Sequence, residues 1–134
     1  MARVPDEQLA QLSPSEAWAR GYIRNAPRIW YDEMFDASPL FEGVQANMDM
    51  LNHVWGRTFA EIDITKGLDA LDRPVFLALG RYDYLVAPPE AWNPIRPTFR
   101  DLTLRVYERS GHTPPYEEAE LFDQHLLEWM SQYR

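Results

Sequence analysis

Hydrophobic and polar positions follow different rhythms in the two halves of the chain. Up to about Thr58 the apolar residues recur at helical spacing. In "SPSEAWARGYI", Ala17, Trp18, Tyr22 and Ile23 fall on one face of a helix. Ser13 is placed to cap it, with Pro14 in the first turn and Glu16 at the capping-box position. Pro27 interrupts the pattern, and the aromatic stretch "RIWYDEMFDASPL" follows. In "LFEGVQANMDMLNHVW", Phe41, Val44, Met48, Leu51 and Trp55 again recur every three or four residues, which predicts a second amphipathic helix ended by Gly56.

Beyond Ile62 the period shortens. Pro74 precedes the unbroken apolar run Val75–Leu79, which suits a strand buried on both faces of a parallel sheet. The proline-rich "PPEAWNPIRPTFRD" has room for a short helix from Pro89 to Ile95. In "LTLRVYE", Leu102, Leu104 and Val106 alternate with Thr103, Arg105 and Tyr107, which predicts a second strand. The chain closes on a stripe of Leu121, Phe122, His125, Leu126, Trp129, Met130 and Tyr133, a terminal helix. Strand, helix, strand, helix is an α/β pattern with a right-handed crossover and two parallel strands. The organisation expected is a helical region over residues 1–61 followed by an α/β region over residues 62–134.

Two side chains stand where such a sheet does chemistry, outside the carboxyl ends of its strands. Asp83 follows the first strand in "LGRYDYLVAPP", and His112 follows the second in "ERSGHTPPYEE". If the strands are parallel neighbours, both loops emerge on one edge of the sheet. The carboxylate then orients the imidazole and stabilises its protonated form, as an acid–base pair requires. Taken singly, Asp83 is equally at home as a turn residue and His112 as a helix-start residue.

Composition narrows the partners. A formal charge of −8, from 21 acidic and 13 basic residues spread along the chain, disfavours nucleic acid and anionic membrane surfaces. There is no cysteine, so disulfides and thiolate metal sites are excluded. His53, His112 and His125 show no metal-ligand spacing, and no phosphate or dinucleotide loop is present, so no cofactor is expected. "MARVPDEQLAQL" lacks the apolar core of a signal peptide, and no run is long enough to span a bilayer; the expectation is a soluble, cytoplasmic protein.

The second half also resembles a known family. "RPVFLALGRYDYLVAPPEAW" is similar to the penultimate strand and acid loop of α/β-hydrolases, and "YERSGHTPPYEEAELFDQHLLEWM" to their last strand, histidine loop and final helix. The likeness is to the proline iminopeptidase-like branch, and the helical first half resembles, more weakly, the lid of such enzymes. The resemblance implies that Asp83 is the acid and His112 the general base of a serine hydrolase triad. Trp30, Tyr31, Trp55 and Tyr84 are the candidate substrate-binding residues, and a small ester or amide is the substrate class. Where the family carries an amine-binding acid directly after the triad aspartate, this chain has Tyr84. That departure leaves esters, lactones and blocked amides open beside N-terminal proline.

The family's nucleophile lies in a G-x-S-x-G elbow, and no such pentapeptide occurs here. The serines are Ser13, Ser15, Ser38, Ser110 and Ser131, none in that context. The chain is therefore expected to be inactive alone. Its partner would be a hydrolase segment carrying the serine, or further copies of itself, because two strands cannot cover the Val75–Leu79 run. The competing expectation is a non-catalytic hydrolase remnant that binds a partner.

Overall fold

In a computed structural model, residues 12–133 are described; the stretch 1–11, most of the segment read above for a signal core, lies outside them. The described chain forms two compact units. The first comprises the described residues up to Ala26 together with Asp36–Ile62, and the second comprises Pro27–Phe35 and the chain from Asp63 onward. The segment Pro27–Phe35 thus belongs to the unit that holds the sheet.

In the first unit, helix α1 (Pro14–Arg24) begins as the pattern predicts. Ser13 Oγ accepts from Glu16 N at 3.3 Å while the Glu16 carboxylate accepts from Ser13 N at 2.8 Å, a complete capping box. Trp18, Tyr22 and Phe41 pack together, with ring centroids 4.9 to 5.8 Å apart. The second helix departs from the expectation. Ser38–Phe41 is an isolated 3-10 turn, Gly43 takes a left-handed φ of 72°, and the helix proper starts only after the Asn47 cap. It runs as α3 (Met48–His53), a π-helical turn Val54–Thr58, and α4 (Phe59–Glu61). Gly56 sits inside that π turn and does not end the helix. Period alone could not separate one long helix from a turn and a shorter one, because Phe41 and Val44 keep the spacing across the break.

A single turn, α2 (Ala26–Ile29), leads into the second unit. There β1 (Val75–Gly80) and β2 (Leu102–Tyr107) pair in parallel, Val75 opposite Leu102 and Gly80 opposite Tyr107. Two 3-10 turns, Pro89–Trp92 and Arg96–Thr98, occupy the crossover where a short helix was expected. After β2 come the turn α5 (Pro114–Glu117) and helix α6 (Ala119–Ser131).

Alternation does not show which face of the sheet the terminal helix covers. Tyr107, on one face with Thr103 and Arg105, is only 1% exposed. Its ring packs on Phe122 and His125 of α6, and Phe76 of β1 packs on Phe122 and Trp129. Aromatic pairs at these 5.6 to 6.1 Å separations contribute beyond their buried area. The apolar positions Val75, Leu77, Leu79, Leu102, Leu104 and Val106 are all half-buried. On α6 the buried stripe is narrower than the sequence suggests: Phe122, His125, Leu126 and Trp129 are half-buried, while Leu121, Met130 and Tyr133 are exposed. No described helix is long and apolar enough to cross a membrane.

Candidate active site

The parallel pairing puts the loop after β1 and the loop after β2 on one edge of the sheet, and backbone hydrogen bonds join them there. Arg81 N donates to Tyr107 O and Tyr82 N to Ser110 O, each at 2.9 Å. The Arg81 guanidinium grips the Glu108 carboxylate with Nε at 3.0 Å and Nη2 at 2.9 Å, and reaches Glu90 with Nη1 at 2.6 Å. This pairing raises the Arg81 pKa and holds Glu108 below the usual carboxylate range.

Asp83 and His112 meet across this seam. His112 Nδ1 lies 2.7 Å from Asp83 Oδ2. Asp83 Oδ1 accepts from Leu85 N at 2.9 Å and from Val86 N at 3.3 Å, so its own loop fixes the carboxylate plane. The aspartate side chain is 11% exposed and that of the histidine 41%. With Nδ1 turned to the carboxylate, Nε2 points away on the opposite side of the ring. An imidazole so held can take a proton at Nε2 while Asp83 stabilises the resulting cation.

A third segment binds both loops. Arg28 O accepts from Tyr84 N at 3.1 Å, and Ile29 O accepts from His112 N at 2.6 Å. Tyr31 N donates to Glu117 Oε1 at 2.6 Å. Residues 28–31 therefore form a strap across the acid and histidine loops. Two glycines make the approach possible. A methyl group on Gly111 would fall onto the Ile29 carbonyl, and one on Gly80 would lie 2.6 Å from Ser110 O and closer still to Gly111 O. Strand end, histidine loop and strap are stacked backbone on backbone.

The carboxylates that open the last helical segment complete the arrangement. Glu117 Oε2 accepts from Gly111 N, Thr113 N and Thr113 Oγ1 at 2.9, 3.1 and 3.2 Å. Glu118 Oε2 accepts from Arg109 N at 2.9 Å and Ser110 Oγ at 2.6 Å. Ser110 is fully buried with its hydroxyl committed to Glu118. It is tied away from His112 despite its nearness in sequence.

Of the candidate substrate-binding residues, Trp30, Tyr31 and Tyr84 line one open cavity of about 1120 Å³, together with Phe35, Tyr82 and Tyr116. Tyr31 and Tyr82 meet edge to face at 5.0 Å. His112 and Asp83 are not among the residues lining that cavity. Trp55 belongs to the first unit, where it stacks edge to face on Phe59 at 5.0 Å. His125 faces Tyr107, with Nδ1 3.3 Å from the phenol oxygen, and burial raises the Tyr107 pKa. Among the described residues, no three His, Asp or Glu side chains gather as a metal ion would require.

The strap, Arg81, Glu117 and Glu118 are additions that the sequence reading did not single out. A usable signal existed for the last two: adjacent acids just after a Gly-His loop, where loop and helix-start amides need acceptors.

The chain is 38% identical over 119 residues to an AB hydrolase superfamily protein, YclE, of Bacillus subtilis. The match covers 89% of this chain and 42% of that protein, so the chain spans about two fifths of the relative's length. No protein-family model matches the chain. The parallel strand pair with its helices is compatible with a partial α/β fold.

Proposed function

We propose that the chain supplies the acid and the general base of a serine hydrolase, with Asp83 orienting His112 and His112 taking the proton of a serine from outside the chain. The observation that carries this reading is the 2.7 Å contact between His112 Nδ1 and Asp83 Oδ2, made by residues from two different loops. An aspartate serving only its own turn would be satisfied by Leu85 and Val86; here its second oxygen is turned to the imidazole. Similarity to part of an AB hydrolase superfamily protein favours the same class.

In this proposal the chain is the C-terminal portion of an α/β-hydrolase, residues 1–61 are lid-like and residues 62–134 are the end of the catalytic domain. The substrate is a small ester or amide. Trp30, Tyr31 and Tyr84 offer its acyl side an aromatic wall. Tyr84 in place of an acidic residue argues against a free amino group as the recognised feature, so the proline iminopeptidase-like activity is the less favoured variant.

The partner is a hydrolase segment bearing the nucleophile elbow, or further copies of the chain. Each strand has a single neighbour among the described residues, and the apolar sheet positions are only half-buried, which favours association through the sheet.

Labelling with a fluorophosphonate probe tests the proposal. The isolated chain is expected to remain unlabelled, and a complex with an elbow-bearing segment to label at that segment's serine. Stoichiometric labelling of a serine within residues 1–134 would overturn the assignment of the nucleophile.

A further inference from the structure

His112 presents a physical difficulty. Its side chain is 41% exposed, and among the described residues its side-chain hydrogen bond is to Asp83 alone. Asp83 orients the ring, but the point from which the imidazole reaches Asp83 is set by the backbone that carries it.

That backbone converges on one residue. The amides immediately before and after His112, those of Gly111 and Thr113, both donate to Glu117 Oε2, and the Thr113 hydroxyl donates to the same oxygen. The other carboxylate oxygen takes the amide of Tyr31 from the strap, whose Ile29 carbonyl in turn accepts from His112 N. One carboxylate thus fixes the histidine from both sides along the chain and anchors the segment lying against it.

We infer that Glu117 is the positioning residue for His112, setting the loop from which the imidazole meets Asp83. This rests on the acid–base reading of the pair proposed above. Glu117 does not touch the reacting nitrogen, so it acts through the loop and not on the proton. The choice of glutamate follows from its hydrogen-bonding capacity. An ionised carboxylate only accepts, through two oxygens with about four lone-pair sites, and four donors meet Glu117 here. Glutamine keeps the size but must turn an NH₂ group toward an N–H on one side or the other. Aspartate keeps both acceptors on a stem one methylene shorter.

The test reads the histidine directly by NMR, on histidine-labelled protein in its native assembly. In the unsubstituted protein, neutral His112 should carry its proton on Nδ1, with a protected signal that disappears in Asp83→Asn. Glu117→Gln should speed exchange of that proton about tenfold, the scale set by losing a hydrogen bond to a charged acceptor, and should mix the two imidazole tautomers. The amide signals of β1 and β2 should stay in place. Glu117→Asp should recover part of the protection. If Glu117→Gln and Glu117→Ala both leave the signal as it was, the inference is overturned. It is also overturned if both unfold the sheet, because Glu117 would then hold the whole fold and not the histidine. A protein with no Asp83-dependent proton before any change at Glu117 would instead sink the acid–base reading.

Discussion

The carbonyl oxygen of Ile29 accepts the amide of His112 at 2.6 Å, joining residues far apart in sequence at the base of the histidine loop. Only the absence of a side chain on Gly111 lets the two backbones come so close. The position of His112 is therefore set by the strap as well as by the sheet.

Gly111→Ala should consequently be costly. The added methyl would meet Ile29 C at 2.8 Å, and hydrogen bonds hold the backbones on both sides of that contact in place. We expect a loss of about 3 kcal/mol, in the range for overpacking combined with displaced backbone hydrogen bonds. Denaturant midpoints will measure it, and a change under about 0.5 kcal/mol, the usual surface-substitution range, would show that strap and loop can part freely.

The Arg81–Glu108 pair gives a pH dependence with a definite sign. Glu108 is held below its ordinary value of 4.5, first by the hydrogen bonds from Arg81. A carboxylate lowered on folding contributes stability that is present above the unfolded value and lost as pH falls through the folded one. Glu108→Gln should flatten the acid limb of the stability profile below about pH 4.5. The pair is exposed to solvent, so the effect should also shrink in high salt. Parallel acid limbs in the two proteins would mean that the pair contributes nothing measurable.

The two ordered histidines of the second unit should behave differently on substitution. His125 packs against Tyr107 on the helix side of the sheet. His125→Ala should cost about 1 kcal/mol of stability and leave turnover in a complemented enzyme unchanged. A collapse of turnover without unfolding would reassign the general base to His125.

Asp83→Asn tests the acid separately. The amide can still accept from Leu85 and Val86, so the loop should keep its shape while the imidazole loses its tautomer control. The expected loss of turnover is about 10⁴-fold, the scale of the corresponding change in another serine hydrolase triad. A loss below tenfold in kcat would mean that the contact with His112 is structural.

What could be read from the chain beforehand divides along physical lines. The Val75–Leu79 run and the alternation after Leu102 report on side-chain environment, and so they revealed both strands. Asp83 and His112 were visible because position after a strand end is a property of sequence order. The strap was not visible, because Arg28 and Ile29 act through carbonyl groups that every residue possesses. Nothing in the run before Gly80 shows that its missing side chain makes room for the histidine loop. Glu117 and Glu118 did not stand out, because the sequence does not show which amides they accept from. Alternation put Tyr107 on one face with Thr103 and Arg105, but it cannot show that α6 packs on that face.

The most direct test of the account is the turnover of p-nitrophenyl acetate by this chain combined with a segment carrying the elbow serine. The unsubstituted complex should hydrolyse the ester, and His112→Ala should lower kcat by orders of magnitude while the complex still assembles, because it removes the imidazole that Asp83 pairs with. An assembled His112→Ala complex that turns over at the unsubstituted rate would contradict the assignment of His112 as general base.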